Sequence, residues 1–538
     1  MTVDAGPSGL CCASEGSVMS NPSIAIIGTG FSGIGMAVKL VKKGFRNFTI
    51  YERLPDAGGC WRSNAFPGAE VDTDSDVYRF SFKPYPWSRS HARRDELLTY
   101  FDDVLAEYDL RPNIHFDTHI VSAELTPAGD YRLGTNDGRS FQADVVISAV
   151  GLFSEPQIPR WPGLEQFAGE VVHSAQWRPD LDLAGTDVAI VGTGSTSASL
   201  VPAVAPQARR LYVFQREPGW ILPKPVTEFS APERQRRARP LAAQLNRLSA
   251  LYRIRKAISG GKAKQVGTAQ NRSVQQAAEG FLRASLADRP DLLAALTPDY
   301  PVYGKRLVRS SDFYPALKRP NVELVPRTIR EVTRTGVIDD AGVERRIDTL
   351  VLATGFTASR FLSGLRVVGR DGERLHEDIW EADPIAFLGI LVPRLPNFFI
   401  LYGPNTNGSG AHLFVLEAQM DFVAGVLTRM RRTGARLAEV RPIHVDTYRR
   451  WLDRQWADSA LLTTNNYFRG SSGNVVTNWP RGFGLYYLLT RIARHTSVRY
   501  TGPPADRPDE GGPGSGASGD DRAEHDLVEA RSRPHAQQ

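Results

Sequence analysis

Two short stretches of this 538-residue chain space their glycines as phosphate-binding turns do. The first is Gly28-Thr29-Gly30-Phe31-Ser32-Gly33, directly after the apolar run IAII. It predicts a strand, a tight turn and a helix. Gly28 permits the turn, Gly30 lets the backbone approach a pyrophosphate, and Gly33 lets the helix close on the strand. Phe31 and Ser32 open that helix, whose free N–H groups receive phosphate oxygens. A second apolar run, FTIYE, follows and ends in Glu52. An acid placed about 20 residues after the turn accepts a hydrogen bond from a ribose hydroxyl. The second stretch is Gly192-Thr193-Gly194-Ser195-Thr196-Ser197, after DVAIV. Ser197 replaces the third glycine and is small enough for close packing. The strand that follows leads to Arg216 instead of an acid. A guanidinium there favours a 2′-phosphate over a free 2′-hydroxyl, so NADPH is preferred over NADH. Glu217 beside it works against a phosphate.

The elements that must carry these turns are legible as short β-branched runs, many flanked by glycine: SIAIIG, FTIYE, DVVISAVG, DVAIVG, RLYVFQR, DTLVLATG and NFFILYG. Continuous apolar runs of this length predict buried parallel strands with helices between them. The fold class is α/β, with two Rossmann-like dinucleotide-binding domains. Residues 226–296 lack strand signals and are rich in Ala, Leu, Arg and Gln, so they predict a helical insertion. Its Arg234, Arg236, Arg237 and Arg239 are expected to form a solvated face. The leader 1–21 and the tail 502–538 hold too few apolar residues to offset ordering entropy and are expected to be disordered. Met19, just before the first apolar run, is an alternative start of translation.

Hydrophobic residues at 41% and charged residues at 23% describe a globular chain and exclude wholesale disorder. A net charge of +6 over this length suits anionic small molecules and does not argue for nucleic-acid binding. Three cysteines, Cys11, Cys12 and Cys60, form no CxxC pair, which excludes a disulfide framework and a dithiol reductase. They suit a reducing compartment, and the absence of an apolar run near ~18 residues argues against a membrane span, so a cytoplasmic location is expected. Two dinucleotide folds in one chain imply a flavin reduced by a nicotinamide, with oxygen as the electron acceptor. The runs at 144–151 and 348–356 look like the segments where chain passes between domains in two-dinucleotide flavoproteins.

Three further segments resemble the class B flavoprotein monooxygenases, and among them the type I Baeyer–Villiger monooxygenases. Gly58 to Asp72, with Trp61, Phe66, Pro67 and Gly68, fits the family's pattern [AG]GxWxxxx[FY]P[GM]xxxD. Phe167-Ala-Gly169-Glu-Val-Val-His173-Ser-Ala-Gln-Trp177 fits its FxGxxxHxxxW fingerprint, with Arg178 as a departure. Gly304-Lys305-Arg306 is similar to its Lys-Arg pair. The likeness spans about Ser23 to Tyr500.

The resemblance implies FAD and NADPH as cofactors, and O2 and a small-molecule ketone as substrates. It also implies a C4a-peroxyflavin that inserts one oxygen atom beside the carbonyl to give an ester or lactone. It implies residues 22–157 and 357–501 as a discontinuous FAD domain and 158–356 as the NADPH domain. By resemblance, Arg306 stabilises the peroxide and Asp72 orients Arg306. Lys305 holds the 2′-phosphate, Trp61 and Tyr78 pack on the flavin, and Val121 touches the FAD adenine end. His173 and Trp177 anchor the hinge. Gly403–Gly410 closes over the flavin, and Tyr467 stands where the family has a tryptophan that contacts NADP. The alternative is an N- or S-oxygenating enzyme with the same cofactors; Trp177 and the Lys305-Arg306 pair favour the ketone. The oligomeric state stays open.

Overall fold

The computed structural model describes residues 21–502, Ser409 excepted. The expected leader (apart from residue 21) and tail (apart from residue 502) lie outside these residues.

The run Ile24–Ile27 is a strand with all four residues buried, because neighbours and helices cover both its faces. It lies at the centre of a parallel five-stranded sheet whose order is Phe398–Ile400, Val145–Ser148, Ile24–Ile27, Phe48–Tyr51, Ile114–His115. Ile27 pairs with Tyr51 on one side and Ser148 on the other. The chain order reverses there, and in such sheets the crevice at the reversal takes the ligand. A second parallel sheet repeats the plan: Val322–Val325, Arg210–Phe214, Asp187–Val191, Thr349–Leu352, Glu170–His173. Its first glycine-turn strand, Asp187–Val191, is again central, between Arg210–Phe214 and Thr349–Leu352.

The stretches at and after the ends of the runs at 144–151 and 348–356 lie side by side. Gln157 N–H donates to Gly355 O at 2.9 Å, and Thr354 Oγ1 donates to Gln157 O at 2.6 Å. His173 is buried next to them. Its Nε2–H donates to Gly355 O at 3.1 Å while Nδ1 accepts from Ala175 N–H, and its ring meets Phe356 edge-on. Both ring nitrogens are thus engaged by backbone, as suits an anchor. Trp177 is 8% exposed in the core of the second sheet.

The helical insertion contains Ala231–Ala238, Pro240–Ile258, Ala269–Ser285 and Pro290–Leu296. Two residues on either side of it pair as a short parallel ladder, Ile221–Leu222 with Val308–Arg309. In the helix Pro240–Ile258, Ala243, Arg247, Ala250 and Leu251 face inward, at the spacing of one helical face. Arg247 pairs with the buried Glu417 at 2.7 Å, and Arg79 donates to Ala243 O at 2.7 Å. The four arginines read as a solvated face divide instead. Arg237 is bound to Asp76 and lies over the Phe229 ring, and Arg234 donates to Pro86 O. Only Arg236 and Arg239 are exposed. The physical reason is that acids and carbonyls of residues 72–90 face this part of the insertion and draw two of its guanidiniums inward.

Candidate active site

The first cradle is set by its glycines. Gly28 has φ +105°, and a Cβ there would stand 2.8 Å from Ala149 O. A Cβ at position 33 would run into Gly28 O at 1.9 Å. The helix Phe31–Lys42 therefore starts hard against the strand. Its N-terminus has no side-chain cap and no acid in its first turn, so its positive end is left for an outside anion. Phe31 is buried beneath Tyr78, Phe80 and Phe101, with ring centroids 4.6–5.3 Å away. Ser32 is buried beside it. Glu52, 4% exposed, spans the turn: Oε2 accepts from Thr29 N–H at 2.8 Å and from Thr29 Oγ1 at 2.5 Å, and Oε1 accepts from Leu54 N–H at 2.9 Å. The Glu52 carbonyl accepts from Thr118 N–H, three residues before Val121 on the strand Ile120–Leu125.

The second cradle has the same backbone. Gly192 has φ +112°, and a Cβ there would meet Ala353 O at 2.6 Å. Gly194 has open space around it. The helix Ser195–Val204 again lacks a side-chain cap and a first-turn acid. Thr193 Oγ1 lies 3.4 Å from Glu217 O, and Thr196 is in the first turn. The Ser195 and Ser197 hydroxyls are buried without a hydrogen-bond partner among the described residues. Arg216 is exposed at the strand end, near enough to Lys305 for its charge to lower that ammonium's pKa, an effect second to burial. Lys305 is ion-paired with Glu217 and lies 5.1 Å from the Tyr300 ring centroid.

Neighbouring residues in the chain thus serve two places. Lys305 belongs to the second cradle, whereas Arg306 donates through Nη2 to Asp72 Oδ2 at 2.5 Å. Burial pushes the Asp72 carboxyl up, but the charge and hydrogen bond of Arg306 outweigh it and hold it well below the usual carboxylate range. Arg306 is raised in turn, chiefly by Asp72. Each side chain keeps about a third of its surface open, 31% for Arg306 and 33% for Asp72. Trp61 and Tyr78 stand on the Asp72 side. Trp61 Nε1 donates to Tyr78 Oη at 3.2 Å, with the rings perpendicular. Segment 304–306 is held from the C-terminal region, where Thr464 Oγ1 and Asn466 Nδ2 both donate to Gly304 O. Tyr467 follows, close enough to Arg306 for that cation to oppose the rise that burial gives its phenol.

Three residues at this site escape the sequence reading. Tyr402, with φ +63°, donates through its phenol to Asn407 Oδ1 at 2.6 Å. His412 Nε2 is 3.2 Å from the same oxygen. Burial, reinforced by the charge of Arg306, lowers His412 to about 4, so the ring is neutral at physiological pH. Within the GPNTNGSG loop, Asn407 was one polar residue among several, and nothing local marked His412 as facing an arginine 106 positions earlier. The loop itself is tied down by backbone bonds from Asn405 to Val476 and from Thr406 and Asn407 to Thr477.

Two central glycine turns on two parallel sheets, joined by a partly exposed ion pair, define a two-dinucleotide oxidoreductase. The family described as pyridine nucleotide-disulphide oxidoreductase matches residues 25–230. A Baeyer-Villiger monooxygenase of Pseudomonas aeruginosa is 36% identical over 478 residues, which cover 87% of this chain and 89% of the relative. One of Streptomyces coelicolor is 35% identical over 464 residues, 85% of this chain and 88% of the relative. A solved steroid monooxygenase bound to NADP superposes with a TM-score of 0.80 at 27% identity, covering 89% of this chain and 99% of the other. The chain belongs to the Baeyer–Villiger monooxygenases, flavoproteins of class B.

Proposed function

We propose that this chain uses FAD and NADPH to insert one oxygen atom of O2 beside the carbonyl of a small-molecule ketone, giving an ester or lactone. The observation that carries the reading is the Arg306–Asp72 pair at 2.5 Å, one residue from the Lys305 of the second cradle. In this reading residues 22–157 and 357–501 hold FAD through Gly28, Gly30, Phe31, Ser32, Gly33, Glu52, Trp61, Asp72, Tyr78 and Val121. Residues 158–356 hold NADPH through Gly192, Thr193, Gly194, Ser195, Thr196, Arg216 and Lys305. The residues fit both groups. The first cradle offers an uncapped helix end with Gly30 close against Gly59, where side chains would crowd a pyrophosphate. The second offers two unpartnered serine hydroxyls and two cations for a 2′-phosphate.

The flavin, reduced by NADPH, supplies the oxygen-activating chemistry. The chain's own contribution is electrostatic. Asp72 keeps Arg306 protonated and in one orientation, so a fixed cation faces the developing negative charge without reorganising. That cation gains strength as water leaves the cleft. His412 stays neutral and adds no second positive charge, while its bond to Asn407 and the Tyr402 phenol keep that loop in place. Lys305 must exchange Glu217 for a phosphate. A fixed cation suits a nucleophilic oxygen anion, which attacks ketones; amines and sulfides would need a protonated, electrophilic oxygen. A cytoplasmic location is part of the reading, supported by cysteine usage and by the lack, among the described residues, of a helix able to cross a membrane.

The test is a panel of cyclic, aryl and linear ketones beside one sulfide and one amine, with NADPH and O2 supplied and product mass as readout. Ester or lactone from a ketone is the expected result. Exclusive oxidation of the sulfide and amine would overturn the reading.

A further inference from the structure

We propose that the outward face of the helix Pro240–Ile258 docks on an anionic lipid surface. Leu241, Leu245, Leu248 and Tyr252 are 75%, 58%, 61% and 67% exposed. Their spacing of four, three and four residues puts them in one narrow stripe along the helix. The stripe cannot be hidden by rolling the helix, because the opposite side is locked by the buried Arg247–Glu417 pair and by the bond from Arg79 to Ala243 O.

Charge selects the occupant. Residues 234–264 contain ten Lys and Arg and no Asp or Glu. Arg237, Arg247 and Arg253 are engaged by Asp76, Glu417 and Asp74, Arg234 donates to Pro86 O, and Lys264 is buried and donates to Gly408 O. Arg239 and Arg255 are exposed, one ahead of the stripe and one just past Tyr252. A second copy would bring the same cations face to face across a two-fold axis with no acid on the helix to meet them, which opposes self-association. A bilayer carrying anionic headgroups satisfies both features together: leucines enter the headgroup–acyl boundary and arginines meet phosphates. The helix would lie in the interface plane, because it is too charged and too little apolar to cross the bilayer. The same helix is bonded to the segment that runs on from Asp72, through Arg253 to Asp74 at 2.8 Å and Arg247 to Arg79 O at 2.6 Å. The docking face therefore rides on a wall of the catalytic segment.

The experiment is flotation of the full-length FAD-loaded protein with vesicles of phosphatidylcholine, with and without phosphatidylglycerol. Binding is read without turnover, so it stands apart from the ketone chemistry. The protein is expected to float with the anionic vesicles and not with the neutral ones. Leu245→Asp with Leu248→Asp should abolish flotation while the bound-flavin spectrum is kept. Arg239→Glu with Arg255→Glu should weaken binding more than tenfold, and it decides the matter if the leucine variant loses its flavin. No flotation with anionic vesicles, or undiminished flotation of these variants, overturns the proposal. So does a dimer in solution that dissolves in the leucine variant while vesicles are ignored; that result assigns the stripe to a second copy.

Discussion

The two glycine cradles share a backbone and differ in what stands behind it. Gly28 and Gly192 have φ of +105° and +112°, and each faces the carbonyl of an alanine, Ala149 or Ala353, just past the end of the adjoining strand. Beyond that the walls diverge. In the first cradle Gly30 lies against Gly59, Phe31 is sunk among four aromatic rings, and Thr29 is clamped by Glu52. In the second, Gly194 has nothing near it, the leading serines keep spare hydroxyls, and the charged residues at the strand end are partly exposed. In the proposed reading one strand-turn-helix holds the flavin and the other the nicotinamide coenzyme, and the packing around the two turns is what differs between them.

The largest effect is expected where the two cradles meet. Arg306→Ala should lower ester formation by about 10²–10³-fold, with FAD content and reduction by NADPH kept; normal oxygenation by this variant would show that the pair is merely structural. Next come the paired turn variants. A Cβ forced into the left-handed region costs about 1–3 kcal/mol, before any clash with the facing carbonyl. Gly28→Ala should yield protein that has lost its flavin absorbance, whereas Gly192→Ala should stay yellow and raise the KM for NADPH by ~10–100-fold. If both variants lose flavin, the two cradles are not independent. Lys305→Ala should narrow the NADPH preference over NADH about tenfold in kcat/KM, as loss of one charge-assisted contact does. Glu217→Gln should move NADPH affinity the other way, because it releases Lys305 from its ion pair.

The smallest effect concerns His412. Its folded pKa of about 4 lies below the ordinary 6.5. Folding therefore favours the neutral ring, and the stability this contributes is full above about pH 6.5 and lost as pH falls toward 4. His412→Gln should flatten the dependence of Tm on pH in that window. An unchanged slope would mean that the ring is open to solvent.

The turns were readable because they obey local rules. A glycine forced to positive φ, a small residue at a helix–strand contact and an acid at a strand end are each set by their own few neighbours. Arg216 was readable for the same reason, although its relation to Lys305 was not. The Asp72–Arg306 pair spans 234 positions, and no periodicity links the two; only family motifs brought them together. Arg234 and Arg237 show the opposite failure, since a run of arginines looks solvated until the acids and carbonyls of residues 72–90 are placed beneath it.

From the residues alone came the α/β class, both cradles, the helical insertion and the pairing of a flavin with NADPH. These follow from backbone sterics and the burial of apolar runs, which act over a few residues. Long-range packing settled the rest: which cation is paired and which is exposed, that His412 and Asn407 join the Arg306 site, and that four apolar side chains of one helix face outward. Burial and the Coulomb field depend on every segment that folds against a group, so neither can be assigned to a side chain before the chain is closed around it.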